Sequence, residues 1–436
     1  MAERIVEAAF SNGVDAATFF LTDHYVIFDY VQNRVRDGVH PLTSFPVGTA
    51  SGFPASFAPA GPSTSFDAAL RGKGPYANIA YFFRGPDYMR LRTSAPQAFD
   101  PSVSGSIGLW NLPPSFSTVD AAFNGALNRE PYGYFFKRNQ YVRYAWDTSA
   151  ADSGYPKQIS NLVGMPASFA SGIDAAVDGA GPLAHMGYLF KNESFIRFRW
   201  VASGEPHVEG PIDPIHGKWP GLAELLLAGK AKSHGLEWLR VARARLSALS
   251  SGSLSPNDLA VVTAALATHF HITPLDAANL AVVSNMFASI EATLRASSRM
   301  FRFRTDDEAR VDFAPKALPA DGPAAAYTFP MPPSPAPRIN ITRNFKGRSE
   351  RNRVSSVIHE AMHANDPTTN DPARHIQEWY VSPALAPALG LDVAENDPDM
   401  ATRYDLMTAS DAVHNPASYA TFARHVFFGH DNREMP

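Results

Sequence analysis

The sequence predicts a multidomain β plus α chain, with a β-rich repeat array over the first half and a mainly helical domain after it. Three observations predict this. Four segments of the first half repeat, the apolar periodicity changes after Trp219-Pro220, and six of the 14 histidines crowd into the last 78 residues. At about 150 residues per domain, 436 residues also suit two or three domains.

The repeats come first. VEAAF at 6–10, FDAAL at 66–70, VDAAF at 119–123 and IDAAV at 173–177 each run apolar, acid, Ala, Ala. Their acids, Glu7, Asp67, Asp120 and Asp174, lie 60, 53 and 54 residues apart. An aromatic strand and a second, alternating strand follow each acid, as in AYFFRGPDYMRLR, GYFFKRNQYVRYAW and GYLFKNESFIRFRW. In YVRYAW the positions Tyr141, Arg143 and Ala145 share one side, the period-2 pattern of a half-exposed strand. The links RGPD, KRNQ and KNES have the length and chemistry of hairpin turns.

The acid-Ala-Ala segment, the YFFK and YVRY strands and the following GYPKQI at 154–159 resemble the hemopexin-like repeat. The resemblance covers residues 1–222 and implies a four-bladed hemopexin-like β-propeller. It also implies that residues around Asp67, Asp120 and Asp174 line a central tunnel, where a structural Ca2+ or Na+ ion would sit. The cysteine pair that often ties the first blade to the last is absent, because the chain has no cysteine at all. Closure then rests on packing alone. Heme would need axial histidines, and His24, His40, His185, His207 and His216 show no such pattern. Propellers of this kind serve mainly in recognition, which points to a cell-surface or host-protein ligand.

After Trp219 the period becomes helical. GLAELLLAGKAKSHGLEWLRVARARLSAL reads as a connecting helix or helix pair over 223–252. Ser255-Pro256 and Thr273-Pro274 each supply a cap and a first-turn proline for further helices. Eight prolines between 315 and 337 exclude helix or central strand there, so the segment reads as an ordered loop wrapping the surface or a flexible tether. RINIT at 338–342 reads as a short edge strand.

The segment RSERNRVSSVIHEAMHANDP carries the chemistry. Ser349 caps, Val354, Val357, Ile358 and Ala361 form an apolar face, and Asn365 with Pro367 stops the helix. Inside lies the HExxH motif, His359-Glu360-Ala361-Met362-His363. A spacing of i, i+4 puts both imidazoles on one helix face, able to grip one metal ion. Glu360 is placed to take a proton from a water that the ion activates. Two imidazoles and one oxygen donor suit Zn2+ best.

INITRNFKG, RVSSVIHEAMH and the later HNPASYATFA at 414–423 resemble the aspzincin (deuterolysin-like, lysine-specific metalloendopeptidase-like) zinc peptidases. The resemblance covers about 250–436 and places a zincin-like metallopeptidase domain at 253–436. It implies zinc ligands at His359 and His363 and a general base at Glu360. The family's Asp-bearing motif is missing, and DPARHIQEWY at 371–380 stands in its place. A third donor from a separate element is still needed. Glu378, followed by Trp379 and Tyr380, is the expected ligand, with Asp371 and His375 as alternatives. Tyr380, Tyr419 and His414 are the candidates for stabilising the developing oxyanion.

Composition bounds the rest. Hydrophobic residues make up 45%, charged residues 18%, and the net charge is -4, which gives no support to nucleic acid or an anionic membrane as partner. No apolar run reaches the roughly 18 residues of a membrane span. Glu7 and Asp15 interrupt any signal-peptide core, so the expectation is cytoplasmic synthesis with export, if any, by a non-classical route. The expected function is a zinc metalloendopeptidase acting on a protein or peptide substrate, with the propeller as recognition module, in the manner of a bacterial effector or toxin. The alternative is a non-enzymatic hemopexin-like binding protein or toxin with a degenerate zincin half.

Overall fold

The computed structural model describes residues 3–45, 57, 66–94, 97–99, 105–296, 300–313, 325–329, 338–365 and 407–431. The chain divides into two compact units, Met1–Lys230 and Ala231–Pro436.

Among the described residues, unit 1 contains four antiparallel sheets. The first comprises β1 (Ala8–Ser11), β2 (Ala16–Leu21), β3 (His24–Asp29) and β4 (Arg34–Pro41), in that order. The second comprises β5 (Ala68–Arg71), β6 (Ile79–Arg84) and β7 (Asp87–Arg92), with β8 (Ala98–Phe99) and β9 (Gly105–Ser106) both against β7. The third comprises β10 (Ala121–Asn124), β11 (Tyr132–Lys137) and β12 (Gln140–Ala145), with β13 (Ala150–Ala151) and β14 (Lys157–Gln158) on β12. A short helix, α1 (Ala167–Ala170), leads into the fourth: β15 (Ala175–Asp178), β16 (Met186–Lys191), β17 (Ser194–Arg199) and β18 (His207–Pro214). The innermost strands β1, β5, β10 and β15 pack each on the next, and β15 packs on β1. The ring is closed, and the unit is a four-bladed propeller.

The repeat residues explain the ring. The alanine pairs Ala8-Ala9, Ala68-Ala69, Ala121-Ala122 and Ala175-Ala176 are all buried, because four inner strands converge on one axis and leave room only for methyl groups. The first alanine of each pair sits opposite a phenylalanine: Ala8 on Phe20, Ala68 on Phe83, Ala121 on Phe136 and Ala175 on Phe190. The acids flanking these alanines have a structural task of their own. Each carboxylate accepts from the first turn residue of its own blade's hairpin: Glu7 from Thr22 N at 2.6 Å, Asp67 from Gly85 N at 2.6 Å, Asp120 from Arg138 N at 2.7 Å and Asp174 from Asn192 N at 2.6 Å. Those four turn residues all have positive φ, between 50° and 60°. The acid thus satisfies an amide that a tight turn would leave outside the ladder.

The alternation read in β12 also needs correction. Tyr141 and Ala145 are buried and only Arg143 is partly exposed, held by Asp152. Each blade lies between two others, so both strand faces are covered. At the seam between the first and last blades stands Trp219, just after α2 (Ile215–Lys218). It packs on Phe19, Phe28 and Tyr30 on one side and on Tyr188, Phe190 and Phe195 on the other, with centroids 4.9–6.0 Å away. Trp110 does the same between Phe83 and Phe135, and Phe45 between Phe10 and Phe82.

A single 29-residue helix, α3 (Leu222–Ser250), starts in the first unit and continues into the second. Unit 2 then follows with α4 (Pro256–Phe270), α5 (Ala277–Ala296), β19 (Phe301–Phe303), α6 (Asp306–Phe313), β20 (Ala326–Phe329) and β21 (Arg338–Ile341). Next come α7 (Glu350–His363), α8 (Ala409–Ala412) and α9 (Pro416–Phe428). Ser255 caps α4 through Asp258 N, as its sequence predicts. The start of α5 falls three residues later than Thr273-Pro274 suggests, because the Asp276 carboxylate takes Asn279 N. The RINIT segment is the central strand of a small sheet, parallel to β19 and antiparallel to β20, where an edge position was expected. The edges are β19 and β20, and β20 is a strand in a proline-free stretch of the segment where only a loop or tether was expected.

Candidate metal centre

The HExxH residues lie on α7. Ser349 accepts from Asn352 N at its start, and Asn365 Nδ2 donates to Ala361 O, 2.7 Å away, at its end. The sequence suggests one apolar face, but every residue from Arg353 to Met362 is buried. The helix is enclosed by α5, α9, β20 and β21. Thr328 of β20 donates to Glu360 O at 3.2 Å, and Arg424 of α9 donates to Asn352 Oδ1 at 3.1 Å. These polar bonds, from two different elements, tie α7 near both ends of its buried run.

His359 is 2% exposed, Glu360 is 7% exposed and His363 is half-buried toward the helix end. The Nε2 atoms of His359 and His363 lie 3.1 Å apart, with ring planes at 67°. Two nitrogens each about 2.0–2.1 Å from a tetrahedral zinc are about 3.3–3.4 Å apart. The two nitrogens therefore lie within a few tenths of an ångström of the separation that one such ion would set. The residues present fit zinc: two neutral imidazole nitrogens on a rigid element, with a carboxylate on the adjacent residue.

The other expected site residues divide into two groups. Glu378, Tyr380 and the alternatives Asp371 and His375 lie outside the described residues. Tyr419 and His414 lie within them. Tyr419 is fully buried between Phe270 and Phe287, and its hydroxyl donates to Val413 O at 2.7 Å. That is the setting of a core tyrosine anchoring the α8–α9 turn. His414 is half-buried in that same turn, its backbone N–H donating to Asp411 O. A groove lined by His234, Trp238, Glu350, Arg351 and Phe428 lies at the start of α7. It is about 20 Å along the helix from His363 and is separate from the histidine pair.

Sequence reasoning missed a second convergence of histidines. His269 Nε2 and His425 Nδ1 lie 3.1 Å apart, and an Asp431 carboxylate oxygen lies within 4.8 Å of both. The available signal was positional: each histidine falls in the last turn of its helix.

No protein-family model matches the chain. Over 233 residues it is 28% identical to Albumin-2 of Lathyrus sativus, an alignment covering 51% of this chain and 97% of that protein. It is 27% identical over 169 residues to Stromelysin-1 of Equus caballus, covering 39% of this chain and 30% of that protein. Among solved structures, the hemopexin fold protein CP4 from cow pea covers 50% of this chain and 96% of its own, at 24% identity and a TM-score of 0.39. Hemopexin-fold neighbours thus cover half of the chain, while the assignment of the fold rests on the four blades themselves.

Proposed function

We propose that the second unit is an aspzincin-like zinc metallopeptidase domain and that the propeller recruits its protein substrate. The observation that carries the reading is the 3.1 Å approach of His359 Nε2 and His363 Nε2 on a buried helix, with Glu360 between them in sequence. Zinc bound there would supply an acidified water and polarise the scissile carbonyl. Glu360 accepts a proton as the nucleophile attacks and returns it to the leaving amine. Burial keeps competing water from that carboxylate and strengthens its interactions with charge. Glu378 is the proposed third ligand, with Asp371 and His375 as the alternatives. His414 and Tyr380 remain the groups proposed to meet the oxyanion, and Tyr419 supports the turn that carries His414.

The absence of cysteine and the pairing of a propeller with this helix support an effector or toxin that meets a cell-surface or host protein after non-classical export. Among the described residues no helix is long and apolar enough to cross a membrane.

The test is zinc content together with cleavage of an unfolded generic protein. Glu360→Gln should keep its zinc and lose hydrolysis by about 10²–10⁴-fold. Zinc content should fall in Glu378→Ala and persist in Asp371→Ala and His375→Ala. A zinc-loaded parent that cleaves nothing would favour the non-enzymatic binding protein.

A further inference from the structure

We propose that His269 Nε2, His425 Nδ1 and an Asp431 carboxylate oxygen form a structural zinc site, separate from the His359–His363 pair. The three donors come from three places in the chain. His269 is in the last turn of α4, His425 is in the last turn of α9, and Asp431 lies just beyond the end of α9. Gly429, at φ 80°, ends α9 in the left-handed region with its N–H on His425 O. That reversal brings Asp431 back beside the helix it has just left.

The geometry suits an ion. The two imidazole nitrogens are 3.1 Å apart and belong to rings set at 86° to each other, close enough for one ion to take both. The carboxylate oxygen lies within 4.8 Å of both nitrogens. Closing to a tetrahedral edge of about 3.3–3.4 Å needs a shift of about 1.5 Å by one exposed side chain. The field is also favourable. Both histidines sit at helix C-termini, where the peptide dipoles present negative charge to a cation. Arg245, the cation bonded to Val426 O in the same turn, is already paired with Asp258 at 2.8 Å.

Two nitrogens and one oxygen match zinc, with water as the fourth ligand. Its effect is to clip the last turn of α4 to the end of α9, the helix that packs on α7. A neutral hydrogen bond between the two imidazoles would explain 3.1 Å equally well, and the two accounts differ in whether Asp431 is a ligand. Asp431 therefore decides the matter.

The experiment is equilibrium dialysis of the metal-stripped full chain against zinc buffered at micromolar free concentration, comparing parent and Asp431→Ala. Because Asp431 is exposed, the variant should fold. The parent should hold one more zinc per chain than Asp431→Ala, whatever the HExxH pair retains. His359→Ala/His363→Ala should keep that same zinc and lose it on adding Asp431→Ala. Glu360→Gln should leave the count unchanged. Equal zinc in parent and Asp431→Ala, or an affinity difference below tenfold, would overturn the site and leave the peptidase reading untouched.

Discussion

Glu7, Asp67, Asp120 and Asp174 hold the same bond at four places in the chain, and that bond explains why an acid recurs there. The sequence showed the recurrence plainly. It did not show the partner of the carboxylate, because the turn amide it meets lies 15 to 18 residues further along the chain. Asp174→Ala should therefore destabilise the propeller by about 1–2 kcal/mol through one lost charge-assisted bond, without exposing any ion site. Chemical denaturation would read this, and an unchanged midpoint would remove the acid from the structural account. Tyr419 carries the parallel lesson in the second unit. Its spacing within HNPASYATFA suggested chemistry, yet its hydroxyl is turned to Val413 O and its ring to Phe270 and Phe287. Tyr419→Phe should cost about 0.5–1.5 kcal/mol and leave the proposed hydrolysis unchanged. A large fall in kcat with stability intact would restore it as a site residue. The His359–His363 pair was legible because the two lie four positions apart, one helical turn. His269 and His425 are 156 residues apart, and no local pattern links them.

At the scale of elements, the helices of the second unit were legible in kind and less so in surroundings. The apolar positions of α7 marked a helix with one buried face, but Arg353, Ser355 and Ser356 are buried as well. Burial of those polar residues depends on partners such as α9 that arrive late in the chain, which local periodicity cannot report. The small sheet shows how such partners are tied. Arg304, following β19, donates to both oxygens of Asp312 on α6, and Tyr327 of β20 donates to Asp312 Oδ2 at 2.6 Å. Burial would raise the Asp312 carboxyl, but those hydrogen bonds and the Arg304 charge hold it below the usual carboxylate range. Burial and the bond to Asp312 together push the Tyr327 hydroxyl well up. A carboxyl depressed in the folded state adds stability above its unfolded pKa and loses it as pH falls through the folded value. Asp312→Asn should thus cost about 1–3 kcal/mol near neutral pH, with the gap to the parent shrinking in acid. Urea midpoints across that range would show it. A gap that widens in acid would have the sign wrong.

For the whole molecule, the number of blades was legible in the spacing of four acids, but the means of closing the ring was not. With no cysteine in the chain, the first and last blades must be joined without a disulfide. The structure joins them with Trp219, which is 4% exposed between three aromatic rings of each blade. The hydroxyl of Tyr30 adds a bond across the same seam to Asp178 O at 2.9 Å, and Arg4 adds another to Asp174 O. In sequence, Trp219 marked only the point where the period changes. Its role appears once the ring brings residues 19 and 190 to the same place. Removing an indole from such a setting leaves a cavity that aromatic neighbours on two blades cannot easily fill, so Trp219→Ala should cost about 3–5 kcal/mol. The stronger test uses chain length. A fragment of residues 1–230 keeps all four blades and the closing indole, and it should unfold cooperatively with a β-rich circular dichroism spectrum. A fragment of residues 1–214 keeps the same four blades but loses Ile215 and Trp219, so its ring closes over an open seam. Its unfolding midpoint should fall by at least as much as that of Trp219→Ala in the longer fragment. Equal midpoints for the two fragments would place ring closure in the inner strands and their backbone bonds, and would leave Trp219 as filler.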